Sequence, residues 1–142
     1  MPPQIQLQSP LTPDVREAII QPLLDHNQWH GMGLEGEEMA FALLDDSGTV
    51  AGGLLGYWRD GWLFVASLSV RPDLRGQGHG KALMDCLEDW VRGRHGTGVW
   101  LDSYGFQAPE FYRRLGYEEM GRLRDYLPGV DRLWFAKRLS SR

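Results

Sequence analysis

An apolar, β-branched run from Trp62 to Val70 leads through Arg71-Pro72-Asp73-Leu74 into a dense glycine stretch, Arg75-Gly76-Gln77-Gly78-His79-Gly80-Lys81, and then into a helical pattern. This junction constrains the fold more than any other feature of the chain. A strand with so little alternation sits inside a sheet, covered on both faces. Ala82, Leu83, Cys86, Leu87, Trp90 and Val91 recur at helical spacing, which predicts a helix over 80–92 with that stripe inward. Lys81, Asp85, Glu88 and Arg92 fall mostly on its other faces. Gly93 to Gly98 ends the helix, and Val99-Trp100-Leu101 returns to β structure, so the segment reads as one βαβ crossover closing on Val99–Asp102.

The flanking sequence fills in the sheet. Gln4-Ile5-Gln6-Leu7-Gln8 alternates strictly and predicts a short half-buried strand. Thr12 is placed to cap a helix with Pro13 in its first position and Asp14 in its first turn. Val15, Ile19, Ile20, Leu23 and Leu24 continue at helical spacing, and Pro22 is expected to kink or split that helix. Residues 31–37 read as a glycine-rich, acidic loop. Strands follow over Met39–Asp45 and Thr49–Arg59, and Asp60-Gly61 turns the second directly into Trp62–Val70. Pro109 opens a short helix over Glu110–Leu115, with Gly116 in the left-handed position after it. Two strands, Tyr117–Leu123 and Leu133–Lys137, meet near Pro128-Gly129. The order β-α-β-β-β-α-β-α-β-β predicts an α/β fold in one domain over 1–142: a mixed, mostly antiparallel sheet of about seven strands flanked by helices.

Composition narrows the partners. Fifteen basic against nineteen acidic residues leave a net charge of -4, unlike the basic surfaces that bind nucleic acid or anionic membranes. A single cysteine, Cys86, excludes an internal disulfide and a Cys-rich zinc site. The longest apolar run, Met39 to Leu44, falls far short of the ~20 residues that span a bilayer. Met1 to Gln6 lacks the charged and apolar regions of a signal peptide, so a cytoplasmic protein is expected. His26 and His30 stand at i, i+4, but Asn27 occupies the position where a zinc-hydrolase helix carries Glu, and no metal is expected.

The glycine stretch is the one locally basic spot, with Arg71, Arg75 and Lys81 around it. Helix starts carry unpaired N–H groups and partial positive charge, and glycines let a phosphate approach that backbone. The dinucleotide fingerprint G-x-G-x-x-G fails at Lys81, and the Walker pattern fails at Arg75 and Ala82. Arg75-x-x-Gly78-x-Gly80 instead resembles the acyl-CoA signature [QR]-x-x-G-x-[GA] of the GNAT superfamily of N-acetyltransferases. Leu68-Ser69-Val70-Arg71-Pro72 is similar to the strand end that precedes it in that family. Ala108-Pro109-Glu110-Phe111-Tyr112-Arg113-Arg114-Leu115-Gly116-Tyr117 is similar to the family's A-x-x-x-Y-x-x-x-G-[FY] segment.

The resemblance implies acetyl-CoA as co-substrate and a primary amine of a small molecule or peptide as acceptor, attacked directly in a ternary complex. It implies backbone pairing of the pantetheine arm at Leu68, Ser69 and Val70, and a sheet parted between Trp62–Val70 and Val99–Asp102 to admit it. The pyrophosphate would rest on Arg75, Gly76, Gln77, Gly78, His79, Gly80 and Lys81. The family often carries Asn where this chain has Gly105, which shifts any side-chain contact there to Ser103 or Gln107. Acyl transfer needs a neutral amine, a stabilised oxyanion and a proton for the departing thiolate. Tyr112, with a phenol protonated at neutral pH, matches the family's proton donor. The base stays open: Trp62–Val70 has no carboxylate, which leaves a water relay, Asp102 or Glu38.

Trp29, His30, Tyr57 and Asp102 are candidates for the acceptor side. Glu35, Glu37, Glu38, Asp45 and Asp46 form an acidic run that would favour a cationic acceptor if it rims the site. Cys86 and the tryptophans at 62, 90, 100 and 134 read as core. Dimerisation through an exposed strand is compatible with the sequence, although no motif specifies it. A non-catalytic acyl-CoA-binding module on the same fold is the competing reading.

Overall fold

Asp60 and Gly61 both take positive φ, 53° and 84°, the mirror-image turn whose twist matches two antiparallel strands. That turn and a second one after Leu44 fold the middle of the chain into a three-stranded meander. In a computed structural model, which describes residues 1–33 and 36–139, the strands are β1 (Glu37–Leu44), β2 (Val50–Arg59), β3 (Trp62–Val70), β4 (Gly98–Tyr104), β5 (Glu118–Leu127) and β6 (Val130–Arg138). The helices are α1 (Pro13–Trp29), α2 (His79–Gly93) and α3 (Pro109–Arg114). The chain divides into two units, Met1–Glu35 and Gly36–Arg142.

The second unit holds the sheet, in the order β1-β2-β3-β4-β6-β5. Among neighbouring strands only β3 and β4 pair in parallel, and the crossover that joins them is α2. Leu54, Leu63, Val65, Val99, Leu101 and Phe135 project from one face onto Leu83, Met84, Leu87 and Val91 of α2, forming the core. Phe111, Tyr112 and Leu115 of the α3 region pack against the same cluster, so α2 and α3 share that face. In the first unit, Thr12 accepts a hydrogen bond from the Val15 amide at 3.4 Å and caps α1. The helix runs unbroken through Pro22, since one missing N–H removes a single helical bond.

The structure corrects several expectations. The sheet has six strands rather than about seven. Gln4–Gln8 forms no strand, and Ile5 and Leu7 stand fully exposed, because an alternating segment without a partner ladder gains nothing from extension. The buried stripe of α2 is rotated: Met84 and Glu88 are buried, whereas Ala82 and Cys86 are exposed. Glu88 tolerates that position because Lys137 and Tyr117 meet it there. Trp100 is 41% exposed on the opposite face, against Phe64 at 4.5 Å, while Trp62, Trp90 and Trp134 are half-buried.

Two glycines let the meander close. A Cβ on Gly53 would lie 2.3 Å from the Phe41 carbonyl oxygen of β1, and one on Gly52 equally close to that of Ser69 on β3. Gly53→Ala therefore combines steric overlap with strain at φ 149°. It is expected to cost more than about 1 kcal/mol, read as a lowered urea midpoint with an unchanged slope.

Candidate functional site

β3 and β4 separate part-way along their length. Their parallel ladder pairs Trp62 with Gly98 through Val65 with Leu101 and then stops. At the same point the β2–β3 register shifts, with Leu55 opposite Ser67 and Gly56 opposite Val65, so Ala66 is the extra residue of a bulge. A bulge bends its strand and increases local twist. Beyond it β3 stays with β2 while β4 stays with β6, and a cleft of about 930 Å³ opens between them. Val65 to Val70 form one wall, and Leu101 to Ser103 with Phe106 to Ala108 form the other; Phe111 and Tyr112 of α3 also line it.

One end of the cleft meets the glycine loop, where Arg75, Gly76 and Gly80 line it. Gly76 and Gly78 hold φ of 74° and 84°, the left-handed region that other residues enter at a cost, and Gly78 is the N-cap of α2. Gly80 serves a different need, since a Cβ there would come within 3.3 Å of the Phe111 ring. Arg75 fastens the loop to the strand end by donating from Nε to the Val70 carbonyl at 2.8 Å. The other nearby cations are already engaged. Arg71 pairs with Asp45 and Asp73 at 2.9 and 2.6 Å, and Lys81 with Asp85 at 2.8 Å. The attraction for an anion thus rests on the first-turn amides of α2 and on Arg75.

Tyr112 reaches the cleft from the α2 side. Burial, aided by the negative charge of Asp102, pushes its phenol above the ordinary tyrosine range and keeps it protonated. Leu101 and Ser103 are buried beneath α2, so Asp102 between them belongs to the opposite face of β4. Its Oδ2 accepts from Arg132 Nε at 2.9 Å, and that guanidinium lies over the rings of Tyr104, Tyr126 and Trp134. Among the described residues Asp102 is the one carboxylate lining the cleft. Gln107 turns its Oε1 onto the Tyr104 amide at 2.8 Å, and Gly105 donates to the Asp131 carbonyl at 2.9 Å.

Comparison with known proteins decides the family. Residues 5–117 match the pattern of the acetyltransferase (GNAT) family. This chain belongs to the GNAT acetyltransferase family. An acetyltransferase of Agrobacterium fabrum is 30% identical over 125 residues, covering 88% of this chain and 91% of that protein. A blasticidin-S acetyltransferase of Streptomyces morookaense is 37% identical over 95 residues, covering 66% and 70%. The crystal structure of an acetyltransferase from Bacillus cereus superposes with a TM-score of 0.85 at 28% identity, covering 94% of this chain and 98% of that one. The protein is accordingly an N-acetyltransferase, and the acyl donor of its family is acetyl-CoA.

Within this acetyltransferase, Leu68, Ser69, Val70, Arg75, Gly76, Gly80, Asp102, Gln107 and Tyr112 come together on one cleft. Gln77 and His79 instead line a separate hollow with Asp45, Asp46 and Arg71, and Gly78 and Lys81 do not line the cleft. Tyr57 lies on β2 between Glu38 of β1 and Phe64 of β3, away from the cleft lining. Trp29 and His30 close α1 in the first unit. The acidic run does not line the cleft: Glu37 pairs with Arg94, and the Ser47 hydroxyl followed by Arg71 holds the Asp45 carboxyl far below its usual range. Glu35 lies outside the described residues. Ser103, weighed beside Gln107, lines the cleft as well, and so does Phe106, which the sequence does not single out because a lone loop aromatic carries no periodic signal.

Tyr117 is pushed up even further than Tyr112, first by burial and then by the Glu88 carboxylate. Both phenols thus have folded values above their unfolded ones, so their contribution is complete below about pH 10 and is lost as pH rises beyond it. The urea midpoint is expected to fall between about pH 9 and about pH 11, and to fall less steeply in Tyr117→Phe.

Proposed function

We propose that the cleft binds acetyl-CoA along β3 and directs its acetyl group to a primary amine arriving from the opposite face, by direct attack in a ternary complex. The observation that carries this reading is the parting of β3 and β4 over a glycine-started helix, with Tyr112 in the cleft lining. Acetyl-CoA, when bound, supplies an acetyl thioester and departs as a thiol. The chain's residues suit both halves of such a molecule. Backbone groups of Leu68, Ser69 and Val70 on the open edge of β3 offer strand-like pairing to an amide-bearing arm. The loop from Arg75 through Gly76, Gln77, Gly78, His79, Gly80 and Lys81 offers a helix start and one guanidinium to a pyrophosphate.

Three of the polar side chains lining the cleft then have roles. Tyr112, kept protonated by its surroundings, donates to the leaving sulfur. Asp102, on the other face and held by Arg132, receives the acceptor amine and sets its approach. Gln107 commits Oε1 to the Tyr104 amide, which leaves its NH2 group as the donor toward the arm. No cysteine lines the cleft, and Cys86, although exposed rather than buried, sits elsewhere on α2, which favours direct attack over a covalent carrier. The blasticidin-S acetyltransferase among the relatives supports a small amine-bearing acceptor over a protein terminus.

Calorimetric titration with acetyl-CoA is expected to give binding in the micromolar range that Gly78→Glu abolishes, since a carboxylate at the N-cap repels a phosphate and strains a φ of 84°. Absence of binding by the unaltered protein would remove this reading. In a thiol-release assay with a panel of small amines, Tyr112→Phe should lower kcat by about a hundredfold. In the same assay Asp102→Asn should raise the acceptor KM while leaving acetyl-CoA affinity intact.

A further inference from the structure

Among the described residues Glu88 is the one buried carboxylate, 5% exposed in the middle of α2, and it takes no part in lining the cleft. Its Oε2 accepts the Tyr117 hydroxyl at 2.9 Å and its Oε1 the Lys137 ammonium at 2.8 Å, with Arg92 one turn along α2 at 3.6 Å. Lys137 donates a second hydrogen bond, at 2.8 Å, to the carbonyl of Leu115, the residue that ends α3. The Tyr117 amide donates to the Tyr112 carbonyl at 3.0 Å, and the two rings stand 6.1 Å apart. Gly116 between them takes φ 91°, with Lys137 Cε 3.5 Å from where its Cβ would lie. The stretch from Tyr112 to Tyr117 is thus tied at Leu115 and at Tyr117 to groups from α2 and β6.

Such ties matter because α3 has only six residues, too few to hold a helix by its own bonds. A buried ion pair is a weak source of stability, and apolar replacements often do as well. What the ion pair and hydroxyl supply is direction and fixed length. We infer that Glu88, Lys137 and Tyr117 are positioning residues that lock the turn after α3 and so hold the Tyr112 hydroxyl at its place in the cleft. The inference rests on the reading of Tyr112 as proton donor.

The test joins kinetics with 19F NMR of protein carrying fluorotyrosine at its five tyrosines, the Tyr112 line being assigned by its loss in Tyr112→Phe. In Lys137→Met and in the milder Tyr117→Phe, kcat should fall about tenfold with the acetyl-CoA KM within about twofold, and the Tyr112 line should shift or broaden. Lys137→Arg should restore both readouts. On a Tyr112→Phe background, Lys137→Met should add less than about a twofold loss. If Lys137→Met does not fold, Tyr117→Phe, which removes one hydroxyl, decides the matter alone. An unmoved Tyr112 line, or an equal kcat loss on both backgrounds, overturns the inference. A fully active Tyr112→Phe defeats the proton-donor reading instead, and the Tyr112 line then decides by itself whether these residues hold that side chain.

Discussion

The separation of β3 from β4 beyond Val65 and Leu101 is the constraint on which the rest of the site depends. Each strand is committed to its other neighbour, β3 to β2 as far as Val70 and β4 to β6 over its whole length. With the bulge at Ala66 turning β3 away, the two cannot stay in register. Backbone N–H and C=O groups left along that edge still need partners, from water or from a bound chain. In the proposed function a ligand with amides in an extended arm answers that need as a strand would.

The electrostatics follow from the same geometry. The chain is acidic overall, yet the helix after β3 starts at the end of the gap. Asp45, Asp73 and Asp85 draw Arg71 and Lys81 aside into local pairs, which leaves the peptide dipoles of α2 and Arg75 to attract an anion. A site built from backbone amides and one guanidinium has a fixed direction, whereas flexible lysines would not. The acids therefore sharpen the site without opposing it.

What was legible in the sequence was local. The β3–loop–α2 junction, the Asp60-Gly61 turn and the Thr12 cap each lie within a few residues, and each formed as read. The phase of α2 was misread because Glu88 looks like a solvent residue until Tyr117 and Lys137, remote in sequence, meet it. Cys86 moved outward as Glu88 moved in. Gln4–Gln8 shows the opposite failure: its alternation is genuine, but pairing is a tertiary event and no partner strand took it up. Within the cleft, residues of the signature and of α3 could be named in advance, whereas Phe106 and the aromatic frame around Arg132 depend on how loops fold back.

Tyr112 and Tyr117 show how one short segment divides its labour. Both phenols are largely buried and both are driven toward the protonated form. Tyr117 spends its proton on Glu88 in a closed set of bonds, so it is structural. Tyr112 reaches the cleft, and the charge of Asp102 bears on it from the opposite face of the sheet. A donor and a carboxylate on opposite faces of one slot cannot neutralise each other, and the space between them is where an amine and an acyl group would have to meet. If Tyr112 is the proton donor proposed above, the closed set behind Tyr117 belongs to the site as much as its open neighbour, because a phenol can deliver a proton to a chosen atom only if the helix that carries it has nowhere else to go.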